Sequence, residues 1–128
     1  MGYTHYWTID AQVRVDEKKY NKALIDCRKV VKASPIPVEG LPQAGLGFNG
    51  TDDESHEDFW LDNPPNVGFA FCKTNRKPYD LIVTACLCVL AEVQGINVSS
   101  DGDRIDWEEG RAFAENVLRR KIKNPIND

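Results

Sequence analysis

At 128 residues the chain has the length of one domain, and its 41 % hydrophobic content is enough for a core. A net charge of −4 argues against general affinity for nucleic acid or an anionic membrane, and no apolar run reaches membrane-spanning length. The start, MGYTHYWTID, lacks the basic and apolar regions of a signal peptide, and Cys27, Cys72, Cys86 and Cys88 show no CxxC spacing. The expectation is a cytoplasmic protein with free, mostly buried thiols and no zinc site or redox pair.

Tyr3–Ile9 is rich in aromatic and β-branched residues and predicts a strand. Tyr3, His5, Trp7 and Ile9 share one face, and Thr4, Tyr6 and Thr8 the other. Asp16–Ala33 predicts an amphipathic helix, with Tyr20, Ala23, Leu24, Cys27, Val30 and Val31 at the helical period. Asp16 and Glu17 suit its positive end, Lys29 and Lys32 its negative end, and Pro35 stops it. The proline-rich stretch 34–44 reads as a loop, and Leu46–Asn49 as a short strand closed by Gly50. The segment 51–58 is acidic around His56, Phe59–Leu61 is a short apolar run, and DNPPN at 62–66 is turn chemistry.

Val67–Lys73 is the clearest strand. Val67, Phe69 and Phe71 take one face, and the small Gly68, Ala70 and Cys72 take the other, against which an element packs closely. Pro78 suits the first turn of a helix, and Tyr79–Gln94 is apolar nearly all round, so that helix is buried. Ile96–Ser100 reads as the last strand and Asp101-Gly102 as a turn. Asp106 is expected to cap a final helix, with Glu109 completing a capping box. The predicted unit is a single α+β domain over 1–123 with a frayed tail over 124–128.

The element order matches the ferredoxin-like split β-α-β-β-α-β sheet with an extra C-terminal helix. In that topology the strand after the first helix pairs with Val67–Lys73, and Tyr3–Ile9 runs antiparallel between Val67–Lys73 and Ile96–Ser100. Tyr3, His5, His56, Lys73, Thr74, Arg76, Lys77, Ser99, Ser100 and Asp101 then meet at one sheet edge. Lys73, Arg76 and Lys77 precede a helix N-terminus, a place that favours anions. Tyr3, Tyr6 and Trp7 offer aromatic surface for a base. The alternative is a solvated basic loop that pairs with the acidic segment. His5 and His56 are the candidate acid–base groups, each with a structural or solvent-exposed alternative. The acidic segment lacks an EF-hand pattern, so no metal and no cofactor are expected.

The stretches GYTHYW (2–7), FNG (48–50), FCKTNRKPYD (71–80) and SSDG (99–102) together resemble the signature of a family of small proteins of bacteria and their phages. The resemblance spans almost the whole chain. The closest form of the third motif carries alanine where this chain has Asn75. The family supplies no activity, cofactor or catalytic residue; it implies that these polar stretches belong together. The candidate ligand-binding set is Tyr3, His5, Trp7, Asn49, Lys73, Thr74, Arg76, Lys77, Ser100 and Asp101.

Three functions compete. One is a binding protein for a nucleotide-like or other phosphate-bearing small molecule; given the phage resemblance, one form is a sponge for a nucleotide immune signal. Another is a small enzyme cleaving a phosphate ester or glycosidic bond, with His5 or His56 as acid–base and Lys73 or Arg76 holding developing charge. A third is a protein-binding inhibitor module that uses the acidic segment. Self-association as a homo-oligomer stays open.

Overall fold

Alternating strands and helical periods become two small antiparallel sheets and three helices, an α+β fold. The computed structural model describes residues 3–41 and 45–127; Gly2, residues 42–44 of the predicted loop and Asp128 of the predicted tail lie outside them. In chain order the elements are β1 (Thr4–Ile9), α1 (Glu17–Lys32), β2 (Val38–Gly40), β3 (Leu46–Gly50), β4 (Phe59–Leu61), β5 (Gly68–Lys73), α2 (Asp80–Leu90), β6 (Ile96–Ser100) and α3 (Arg104–Leu118).

The first sheet has the order β5-β1-β6, with β1 antiparallel to both neighbours. His5 faces Cys72 and Ser100, and Trp7 faces Ala70 and Val98. Alternation therefore turns His5, Trp7, Ile9 and Cys72 inward, where all four are buried. The small face of β5 is the packed one, as the sequence pattern predicts, and the phenylalanine face looks outward.

The second sheet, β2-β3-β4, departs from the single ferredoxin-like sheet. β4 pairs with β3 and not with β5; the segment before it touches the end of β5 through a backbone hydrogen bond from Glu57 N–H to the Lys73 carbonyl, 3.2 Å. The chain after β4 cannot lengthen a ladder to β5. β4 is short, and the chain beyond it carries Pro64 and Pro65, which have no N–H to extend a ladder. β2 lies within the stretch predicted as a loop, paired with β3 through Val38↔Gly50 and Gly40↔Phe48. Among the described residues no helix is long and apolar enough to cross a membrane.

Asp16 caps α1, accepting from the N–H groups of Lys18 and Lys19. α2 is buried from Ile82 to Leu90, as its all-round apolar sequence requires, but it ends at Leu90 rather than Gln94. The cap of α3 is Asp103, not Asp106. Asp106 stands at the third helical position, and the two residues exchange backbone and side-chain hydrogen bonds. Asp103 is itself a good cap, and it places Trp107 inward, fully buried.

The expected frayed tail is docked. Asn124 and Ile126 are buried; the Asn124 amide donates to the Arg104 carbonyl (3.0 Å), and the Arg104 guanidinium donates to the Ile126 carbonyl (3.1 Å). Ile122 and Ile126 extend the apolar cluster, which outweighs the ordering entropy of a short segment.

α2 and α3 touch at Gly110. A Cβ there would lie 2.1 Å from the Thr84 hydroxyl and 3.0 Å from the Ala85 nitrogen. Gly110→Ala forces the helices apart, so we expect it to lower stability by about 1–3 kcal/mol despite alanine's better helix propensity. Urea unfolding of the two proteins measures this; an alanine variant as stable as wild type would refute the close approach.

Candidate functional site

His5 is fully buried on the central strand, and both ring nitrogens are occupied. Nε2 lies 2.6 Å from Asp80 Oδ1, and Nδ1 lies 2.7 Å from Ser100 Oγ. A carboxylate only accepts, so Nε2–H donates to Asp80; in the neutral ring Nδ1 accepts the Ser100 hydroxyl proton. The same Asp80 oxygen accepts from the Thr74 hydroxyl at 2.6 Å, and Ser100 Oγ accepts from the Gly102 N–H at 2.8 Å. The rings of Tyr3 and Trp107 stand edge-on to the imidazole, each 5.0 Å away. The chain Ser100–His5–Asp80–Thr74 thus joins β6, β1, α2 and the turn before α2.

Beside this chain lies a cleft of about 370 Å³, walled by Tyr3, Arg76, Lys77, Asp80, Thr84, Asp106 and Glu109 among others. Asn75 and Arg76 both take left-handed backbone angles (φ 52° and 58°), which turn the chain sharply after β5. This turn lays the Arg76 guanidinium on the Tyr3 ring, 3.9 Å from its centre. Arg76 also reaches Asp106, at 3.6 Å. The Asp103 backbone, with help from Arg76, holds the Asp106 carboxyl below the usual carboxylate range. Burial raises the Tyr3 phenol to about 12, with Asp80 and Asp106 adding to the rise and Arg76 opposing it. The Tyr3 hydroxyl is buried beside Ser100 but outside hydrogen-bonding geometry, and it fills the space a side chain at Gly102 would need.

The predicted residues divide into groups. Tyr3, Arg76 and Lys77 line the cleft, joined by Asp80 and by Asp106 and Glu109, the two residues expected to form a helix cap. His5, Thr74 and Ser100 lie behind it in the buried chain. Asp101 closes the β1 end, accepting from the Thr4 N–H (3.1 Å) and the Tyr6 hydroxyl (3.2 Å). Lys73 is half-buried at the end of β5; its N–H donates to the Glu57 carboxylate at 2.7 Å.

Trp7 offers no stacking surface: it is 5 % exposed and packs on Phe59. Asn49 is occupied by the acidic segment. Its amide donates to the His56 carbonyl and the Asp58 carboxylate, and its oxygen accepts from the Gly50 and His56 N–H groups. His56 is exposed, and among the described residues no group of three His, Cys, Asp or Glu side chains is placed to hold a metal ion.

The helix N-terminus is also less open than expected. The N–H groups of Asp80, Leu81 and Ile82 already donate to the carbonyls of Lys77, Pro78 and Tyr79. Anion affinity at this place therefore falls to the Arg76 and Lys77 side chains, against the opposing charges of Asp80, Asp106 and Glu109. A second cleft, about 310 Å³ between α1, the end of α2 and Arg120, has its buried charge already satisfied. Burial would raise the Asp26 carboxyl, but hydrogen bonds from Lys22 (2.8 Å) and Arg120 (3.1 Å) outweigh it and hold it low.

No protein-family model, curated protein or solved structure matches this chain.

Two predictions follow from the buried chemistry. Asp80→Ala leaves the Thr74 hydroxyl and the His5 N–H without their acceptor, and we expect a loss of about 1–3 kcal/mol in urea unfolding. Asp80→Asn keeps an accepting oxygen, so its loss should be smaller; equal losses would deny the carboxylate its bridging role. All four cysteines are buried, and burial raises Cys72 and Cys88 to about 12 and Cys86 well above the ordinary thiol range. At pH 8 a thiol with a pKa near 12 is thiolate in only about one part in ten thousand. Iodoacetamide should therefore add nothing to the native protein and four groups in urea, as read by mass spectrometry.

Proposed function

We propose that the cleft beside Tyr3 binds a small phosphate-bearing ligand of nucleotide type. The observation that carries this reading is Arg76. Its guanidinium is spread on the Tyr3 ring and oriented by two consecutive left-handed residues, at the wall of a cleft of about 370 Å³. That volume falls in the range of small-molecule sites. A planar, pre-oriented guanidinium suits bidentate recognition of phosphate, and its 3.6 Å pairing with Asp106 is loose enough to yield to a doubly charged oxyanion. Lys77 adds a point charge at the same wall. Asp80, Asp106 and Glu109 reject a bare polyanion; they suit a ligand that also carries hydroxyl or amino donors, as a nucleoside does.

The frame we infer is ferredoxin-like, with β5-β1-β6 and the helices behind it as the conserved part of that design and the fourth strand drawn into the second sheet. Tyr3 from the first signature stretch and Arg76, Lys77, Pro78 and Asp80 from the third supply one wall of the cleft, in keeping with the resemblance to the bacterial and phage family. The enzymatic reading gains the hydrogen-bonded order Ser100–His5–Asp80. It loses force because His5 is 0 % exposed and neither Ser100 nor His5 reaches the cleft wall.

The experiment is a thermal-shift and calorimetric screen of nucleoside mono-, di- and triphosphates, with inorganic phosphate as the control. A nucleotide should raise the melting midpoint, and Arg76→Ala should weaken its binding by roughly 10- to 100-fold, the worth of a charged bidentate contact. The ligand should be recovered chemically unchanged. A panel without any shift, or an Arg76→Ala protein that binds as well as wild type, rejects the reading.

A further inference from the structure

The outer face of the β5-β1-β6 sheet carries an aromatic platform away from the cleft. Phe69 and Phe71 on β5 are 63 % and 54 % exposed, and Tyr6 stands on the neighbouring central strand. The Tyr6 and Phe69 rings are stacked, 5.8 Å apart with 28° between their planes, and Phe69 and Phe71 lie 6.0 Å apart. The Tyr6 hydroxyl is anchored on Asp101, which fixes one ring of the platform. Phe69 and Phe71 contribute little burial to the core, and adjacent exposed aromatic side chains on a sheet face mark an interaction surface.

We propose that this face stacks the bases of a short single-stranded nucleic-acid segment. Each exposed ring offers a flat apolar partner to a base, whatever its identity. Lys73 shares the outer face of β5 with both phenylalanines by strand alternation, and it supplies a cation for a phosphate. Asn97 and Ser99 on β6 share it too, opposite Thr8 and Tyr6, and offer polar groups to base edges and sugars. Gly68-Phe69-Ala70-Phe71 reproduces the glycine and paired aromatic positions of the strand by which RNA-recognition sheets stack bases. The strand departs from that pattern at its ends, with Val67 in place of a cation and Thr74 in place of an aromatic, while Lys73 brings a cation to the face instead. A phosphate backbone supplies the charge opposite to Lys73 at the edge of this face. Stacking carries the affinity and has to offset the repulsion that a net charge of −4 implies.

The test is fluorescence anisotropy with a labelled ten-nucleotide single-stranded RNA of mixed sequence. Wild type should bind. Phe69→Ala and Phe71→Ala should each weaken binding roughly 5- to 150-fold, the effect of losing one stacked base. Their melting midpoints should stay close to that of wild type, because these rings are exposed. Tyr6→Phe should retain binding. The logarithmic salt slope should be shallow, about −0.7 for one neutralised phosphate. Arg76→Ala, which alters the nucleotide cleft, should leave RNA binding intact. Absence of binding, binding unchanged in both phenylalanine variants, or equal affinity for the same sequence as a duplex overturns the proposal. So does a wild-type dimer in sedimentation that Phe71→Ala dissociates.

Discussion

A buried imidazole must satisfy two nitrogens, and in this fold that requirement ties the domain together. His5 can be buried at the start of the central strand only if an acceptor stands on one side of the ring and a donor on the other. Asp80 and Ser100 meet the need, at 2.6 and 2.7 Å, from elements far apart in the sequence. Asp80 can do so because α2 starts where it does, and α2 starts there because Asn75 and Arg76 turn the chain sharply after β5. The first turn of α2, the end of β6 and the start of β1 are thus located by one side chain. The same arrangement sets Tyr3 and Trp107 edge-on to the ring and gives the cleft its back wall.

Much of this was legible in the residues. The helical period of α1, the alternation of β1 and β5, and the all-round apolar α2 each encode local structure, because burial on one face or on all faces leaves a period in the sequence. The central position of β1 followed from element order. What could not be read was long-range competition. β4 had the choice of β3 or β5, and nothing in Phe59–Leu61 distinguishes the two edges. Asn49 stands in the candidate ligand-binding set, yet its four hydrogen-bonding positions are taken by Gly50 and by a segment whose path no local pattern specifies. Asp103 and Asp106 are both plausible caps, and burial of Trp107 accompanies the earlier one.

The cleft was legible only in part, for a related reason. Basic residues before a helix can be recognised from composition; of the carboxylates opposing them, Asp80 ends the same stretch, but Asp106 and Glu109 come from α3, which sequence order separates from it. Their arrival changes the character of the place from an anion trap to a site of mixed charge. The outer sheet face shows the converse. Its alternation was visible in Val67–Lys73, but the large side chains face water and the small ones face the core. That choice follows from tight packing behind Cys72 and Ala70, with Phe69 and Phe71 left outside.

The docked segment after α3 gives the domain a mechanical property. Asn124 and Ile126 fold back to Arg104, so α3 is clasped at its first turn by the chain that leaves its last. Ile105 and Asp106, the next residues of that turn, wall the cleft. Tension applied through residue 127 therefore reaches the mouth of the cleft before it unwinds the far end of the helix. A fusion partner or surface tether joined at this end is wired to the cleft, whereas one joined through the exposed start of α1 acts beside the far end of α2.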